Sequence, residues 1–346
     1  MRKLLLFVQY SLLCAALTAI AGCSHVVTVE QPKFVFSPYK DINKVPDLTT
    51  ALARIRLHGQ PVPLGEALSR LSEGRVDVVT LAFASGECGE ERWGVLDAQK
   101  VATANVRAFR QQGLRYIIST GGEGGVFTCA TDAGMEAFIA RYESGGLLGM
   151  DFDIEANQTP AQMDAIALRV KAAQVRRPHL RFSFTLATFA SADGSQAGLN
   201  ATGKRVLAAL RAADVSDVYL NLMVMNFGPA LAQNCVVVLG RCDMAASARQ
   251  AVLNLHAVYG VSLSLIEVTA MIGVNDVVDN VFTLDDARSL ARYVRDARLG
   301  GLHFWSLDRD GPCAHGPTAV SPMCSSLNTH PTGAFLQTFV DGLRQK

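Results

Sequence analysis

The chain has 346 residues, 49% of them hydrophobic and 18% charged, with a formal net charge of +1. This composition supports a large buried core and excludes a disordered or low-complexity chain. The near-neutral balance, with no basic stripe, provides no long-range field for nucleic acid or an anionic membrane surface.

The N-terminus reads as a separate segment. Arg2 and Lys3 precede an apolar run over residues 4–20, which meets small residues at Ala21 and Gly22. A charged start, a short apolar middle and a small-residue exit form a signal-peptide layout. Gln9, Tyr10 and Ser11 interrupt the run, and it lacks the flanks of a spanning helix. Ile20-Ala21-Gly22-Cys23 resembles the lipobox of bacterial lipoproteins, which implies a lipid anchor at Cys23. Ser24 after it is compatible with outer-membrane sorting. The plainer alternative is an ordinary secretory signal cut nearby. The expected division is a signal at 1–23, a short linker at 24–32 and one (β/α)8 domain over 33–346, exported either as an outer-membrane lipoprotein or as a secreted protein.

The cysteines agree with export. Of eight, Cys14 lies in the signal and Cys23 at the lipobox, leaving Cys88, Cys129, Cys235, Cys242, Cys313 and Cys324. An even number in an exported chain suggests disulfides, although six cysteines allow fifteen connectivities. Spacing favours local loops for Cys235–Cys242 and Cys313–Cys324, which leaves Cys88–Cys129. With no CxxC pair and scattered histidines, zinc is the weaker reading.

Along the rest of the chain, β-rich apolar runs alternate with amphipathic stretches. Strands are expected at 33–38, 77–84, 115–120, 147–155, 181–188, 218–226, 262–271 and 301–307. Helices are expected at 97–112, 160–175, 204–213, 244–259 and 284–297. Alternation of this kind gives a parallel sheet with right-handed crossovers, and eight strands are the number that closes a TIM barrel. An open doubly wound sheet is the alternative, but no Gly-rich turn follows the first strand.

The fourth strand carries the chemistry. Side chains alternate along a strand, so Asp151, Asp153 and Glu155 share one face while Phe152 and Ile154 take the other. Neighbours on that face lie about 6.5 Å apart. Three inward acids cannot all ionise comfortably, so at least one should hold its proton more tightly. Catalytic groups of barrels gather at the C-terminal ends of the strands, where Glu155 falls. Carboxylates at alternate positions could also hold Mg²⁺, and spacing alone does not separate the two uses.

Asp151, Asp153 and Glu155 match the last three acids of DxxDxDxE, the motif of glycoside hydrolase family 18, the chitinase family. The sequence resembles the bacterial and archaeal branch with a shortened motif, since Leu148 stands where the first acid would be. Other stretches resemble the family in order along the strands. Phe36-Ser37-Pro38-Tyr39 resembles strand one and Ser119-Thr120-Gly121-Gly122 the SxGG motif. Met223-Val224-Met225-Asn226-Phe227 resembles the MxYD or MxMD motif, and Met271-Ile272-Gly273-Val274-Asn275-Asp276 resembles strand seven. Phe304-Trp305-Ser306-Leu307-Asp308-Arg309-Asp310 resembles strand eight, whose tryptophan floors the sugar site. Asn226 stands at a position usually Asp, and Met225 replaces a tyrosine that in the family helps hold the acetamido carbonyl.

The resemblance implies a retaining, substrate-assisted hydrolysis of β-1,4 linkages in chitin or its oligosaccharides, an exception to the two-carboxylate scheme. Glu155 would act as general acid and then base. Asp153 would orient the 2-acetamido group that attacks C1, and Asp151 would share a proton with Asp153. No metal or organic cofactor is implied, and the expected protein is a monomer. Trp305 is expected as a stacking platform rather than core. Tyr39, Met223, Met225 and Met271 are open between core and substrate wall, and Trp93 is a more distant candidate for sugar contact. Two other outcomes are an endo-β-N-acetylglucosaminidase acting on N-glycans and a chitin-oligomer-binding lipoprotein without turnover. The presence of Glu155 counts against the latter.

Overall fold

A computed structural model describes residues 34–155, 157–313, 320–327 and 330–345. The expected signal, the Cys23 anchor and the 24–32 linker lie outside the described residues. Among the described residues, eight strand positions alternate with eight helices. The strands are β1 (Val35–Phe36, continued as Tyr39–Asp41), β2 (Val78–Ala84), β3 (Arg115–Gly121), β4 (Leu147–Asp153), β5 (Arg181–Ala187), β6 (Tyr219–Met223), β7 (Ile266–Met271) and β8 (Gly301–Trp305). The helices are α1 (Leu64–Ser72), α2 (Ala98–Gln112), α3 (Asp132–Tyr142), α4 (Pro160–Arg176), α5 (Ala201–Ala212), α6 (Met244–Tyr259), α7 (Leu284–Asp296) and α8 (Ala334–Arg344).

The strands form one curled parallel sheet in sequential order. Its two ends are made by the same short stretch of chain. Val35–Phe36 pairs with β8, and Tyr39–Asp41 pairs with β2. Pro38, with no N–H to give, sits in the break between the two halves and accepts from Thr80 N at 3.0 Å. Outward-facing residues such as Phe152 and Phe184 are fully buried and stack at 5.2 Å, because helices cover that face of the sheet.

Local signals explain the helix starts. Thr159 and Gln162 form a reciprocal capping box ahead of Pro160 at α4, and Thr283 and Asp286 do the same at α7. Asp97 and Asp243 cap α2 and α6 by accepting from backbone N–H groups. Left-handed glycines Gly113 and Gly260 end the same two helices.

Several boundaries differ from expectation. The fourth strand stops at Asp153 rather than 155, leaving Glu155 on the loop that follows. The sixth stops at Met223, so Met225 and Asn226 are loop residues, and Asn226 has a φ of 51°. Residues 263–265 form a 3-10 turn ahead of β7. Helices α1, α3 and α8 were not foreseen, although α3 buries Met135, Phe138, Ile139 and Tyr142 at helical spacing. Trp93 is not a surface sugar contact. It is fully buried and donates to Tyr142 Oη at 2.7 Å.

The three disulfides join Cys88 to Cys129, Cys235 to Cys242 and Cys313 to Cys324, the pairing that spacing favoured. All six cysteines lie in the connections that follow the C-terminal ends of strands β2, β3, β6 and β8, Cys242 in a short hairpin strand there. Loop-closure entropy makes the bridge of 41-residue separation the largest contributor, at about 4 kcal/mol against about 2 kcal/mol for the 7-residue one. Paired Cys→Ala variants in urea unfolding should therefore lose most stability for Cys88/Cys129 and least for Cys235/Cys242. The reverse order would contradict this account of the bridges.

Candidate active site

Strand register builds the centre of the sheet. Asp151 lies beside Ser119 of β3 and Ser183 of β5, and Asp153 lies beside Gly121 and Thr185. All four of Asp151's hydroxyl partners come from strands. Ser119 Oγ donates at 2.6 Å, Ser183 Oγ at 2.7 Å, Thr185 Oγ1 at 2.9 Å and Tyr39 Oη at 2.9 Å. Asn221 extends the cluster, donating to Tyr39 Oη and Thr185 Oγ1 and accepting from Thr269 Oγ1 at 2.9 Å. Burial pushes the Asp151 carboxyl up, while these four donors pull it back.

Asp153 has no such support. It is only 5% exposed, and its Oδ1 makes no hydrogen bond among the described residues. Burial, Glu155 and then Asp151 push its proton affinity well above the usual carboxylate range. Glu155 comes next, partly buried, and is pushed up to about 7 by burial first and then by Glu123 and Asp276. The three acids thus differ by environment. One is saturated with donors, one is buried without them, and one faces open space.

That space is a cavity of ≈ 470 Å³ at the C-terminal ends of the strands. Asp153 and Glu155 line it together with Tyr39, Met223, Met225, Asn226, Met271 and Trp305, while Asp151 lies beneath. Trp305 is paired in register with Met271 and stacks on Phe83 at 5.3 Å. Tyr39 meets the same indole edge-on at 6.0 Å. The Gly121-Gly122 pair makes this approach possible. A Cβ on Gly121 would lie 2.1 Å from the Asp153 carbonyl, one on Gly122 would strike the Phe83 ring, and both residues have positive φ.

Asn226 ties two loops across one wall. Its amide donates to Asp276 Oδ2 at 2.9 Å and accepts from Val277 N at 3.1 Å. An amide can do both at once, which a carboxylate cannot. Phe83, Glu123 and the hydroxyls of Ser183 and Thr185 were not singled out from sequence, while Ser119 and Asp276 stood there only inside motifs, without a role of their own. The serines and Thr185 had a readable signal, since they occupy alternate positions of apolar strands. Among the described residues, no group of three or more His, Cys, Asp or Glu side chains is arranged to hold a metal ion.

A curled parallel sheet with acids at the C-terminal ends of its strands is a TIM-barrel-like arrangement. Comparison with known proteins finds similarity to chitinases. The catalytic domain of a hyperthermophilic chitinase from Pyrococcus furiosus superposes with a TM-score of 0.68 at 28% identity, covering 91% of this chain and 96% of that one. A probable bifunctional chitinase/lysozyme of Escherichia coli (strain K12) is 26% identical over 340 residues, or 91% of this chain. Endochitinase 11 of Metarhizium anisopliae is 26% identical over 302 residues, or 82% of this chain. The chain spans 35% and 54% of the lengths of these two relatives. No family model matches it.

The electrostatics make a direct prediction. Asp276→Asn or Glu123→Gln removes a negative neighbour of Glu155, so the Glu155 midpoint should fall below about 7. Carboxyl ¹³C NMR titration reads this midpoint without substrate. A midpoint unmoved by both variants would show that neither neighbour acts on Glu155.

Proposed function

We propose that this protein is a family 18-type glycoside hydrolase that cleaves β-1,4 linkages in chitin oligosaccharides, with retention and with assistance from the substrate. The carrying observation is the pair Asp153 and Glu155 lining one cavity with Trp305, with Asp151 beneath them on the same strand face. The similarity to chitinases from three organisms supports the substrate class. In this reading the sheet closes as a (β/α)8 barrel over residues 33–346, supported by the pairing of β1 with both neighbours.

Glu155 is the general acid. A midpoint of about 7 leaves about half of the molecules protonated at neutral pH, and these can donate to the leaving glycosidic oxygen. The substrate's 2-acetamido carbonyl oxygen then forms the bond to C1 as the glycosidic C–O bond breaks. Asp153, with an unpartnered oxygen next to the cavity, accepts the acetamido N–H and stabilises the developing positive charge. In this reading Asp151, which lies beneath the cavity, shares a proton with Asp153 rather than touching sugar. Glu155 finally takes a proton from the water that opens the oxazolinium ring. Trp305 presents its face to the sugar's apolar side. Tyr39, Met223, Met225, Met271 and Asn226 shape the remaining walls.

We also infer export, with residues 1–23 as its signal and Cys23 as a lipid anchor. Three disulfides support the compartment. Cys23→Ser should abolish incorporation of labelled palmitate in a bacterial host. Incorporation that survives the substitution would exclude the anchor at this residue.

Glu155→Gln keeps the shape but removes the proton donor. It should lower kcat on a chitin oligomer by about 10²–10⁴-fold while oligomer binding persists. The sign of the pH dependence follows from the required form. The acid must carry its proton, so kcat/KM for the unmodified protein should fall as pH rises through about 7. Unchanged hydrolysis by the glutamine variant would end the assignment.

A further inference from the structure

The run Ser306-Leu307-Asp308-Arg309-Asp310 that follows Trp305 is buried throughout, although three of its five side chains carry charge. Each charged group engages a different element. Asp310 accepts from Phe335 N at 3.0 Å and Leu336 N at 2.8 Å, in the first turn of α8. Arg309 donates to the carbonyls of Ile272 and Val274, at the base of the loop that carries Asp276. Asp308 reaches back to β1. Its Oδ1 lies 2.6 Å from Lys40 Nζ, and its Oδ2 accepts from Asp41 N at 3.2 Å.

Lys40 is sealed in the same way. Its side chain and that of Asp308 are both 0% exposed, and its other donors go to the carbonyls of Asp41 and Lys44. Lys40 follows Tyr39 on a strand, so the two side chains take opposite faces. One holds Asp308, three residues past Trp305. The other donates to Asp151 and meets the Trp305 ring edge. The ion pair therefore ties together the backbones that carry Tyr39 and Trp305. A buried pair of this kind adds little net stability over an apolar pair of equal volume, while leaving one charge unmatched is strongly unfavourable. Its consequence lies in fixed geometry.

We propose that Lys40 and Asp308 are positioning residues of the sugar platform, their ion pair setting the placement of Trp305 against Tyr39. The inference rests on the reading of Trp305 as a surface for sugar. Asp308 is pushed up to about 6 by burial, with Lys40 opposing and Asp41 adding to the rise. Lys44 is the like charge beside Lys40 and lowers its proton affinity, after burial as the main cause. The pair is thus present above about pH 6 and weakens as pH falls through that value.

A double-mutant cycle tests this on a chitin oligomer of defined length at pH 7.5, using the full chain. Asp308→Asn should raise KM about tenfold, within the coupling range of neighbouring residues, with kcat nearly unchanged. In a Trp305→Ala background, the same substitution should add little further to KM. The difference between Asp308→Asn and the unmodified protein should shrink as pH falls below about 6. Asp310→Asn is the comparison, since it gives up one of the two acceptors for the first-turn N–H groups of α8 and should lower Tm with KM unchanged. If Asp308→Asn misfolds, Lys40→Met/Asp308→Leu keeps the volume without charge and carries the same expectations. A KM rise undiminished in the Trp305→Ala background would overturn the proposal alone. Trp305→Ala with unaltered KM would remove the platform reading and the proposal with it.

Discussion

A carboxylate in the middle of a parallel sheet is costly unless every lone pair is met, and Asp151 meets that condition with four hydroxyl donors. The donors come from β1, β3 and β5, so the charge can be held only when those strands stand in their observed register. Asn221 of β6 and Thr269 of β7 extend the same cluster, which gives the interior of the sheet a polar centre inside an apolar shell. The properties of the next two acids follow from it. Asp153 lies two residues further on, beyond the hydroxyls and next to a carboxylate that takes them all. Its proton affinity rises through burial first and then through the neighbouring charges of Glu155 and Asp151. Glu155 then stands beyond the strand, where burial is partial and two more acids face it.

The mouth of the sheet is shaped by close approach rather than by bulk. Gly121 allows β3 to touch the carbonyl of Asp153, and Gly122 leaves room for Phe83 under Trp305. The Asn226 amide joins the loops after β6 and β7. Disulfides staple the loops after β2, β3, β6 and β8, on the same side. Loops carry the variable walls, while the acids are aligned by strands, which hold geometry better than loops do.

The alternating acids, the eight-strand rhythm and the two short-range cysteine pairs were legible because each depends on local spacing, and Cys88–Cys129 followed as the remaining pair. Strand ends were less so. Met225, Asn226 and Glu155 sit beyond the last paired residue, and pairing depends on what the neighbouring strand offers, which local sequence does not state. Asn226 in particular adopts a positive φ that asparagine tolerates but does not demand. Trp93 read as a loop residue among polar neighbours. Its burial depends on Tyr142 and Glu91, and Tyr142 comes from a helix 49 residues away. The Asn226–Asp276 contact likewise joins side chains 50 residues apart. In sequence Asn226 reads only as a departure from a usually acidic position, whereas its amide here both donates and accepts.

The central claim is that the sugar's own acetamido group attacks C1, with Asp153 behind it and Glu155 acting twice. Stereochemistry at C1 tests that claim most directly. Proton NMR during the first minutes of hydrolysis of a chitin tetramer reads the anomer released before mutarotation. Two successive displacements at C1 predict the β-anomer as first product. Release of the α-anomer would mean a single displacement by water and would contradict the account.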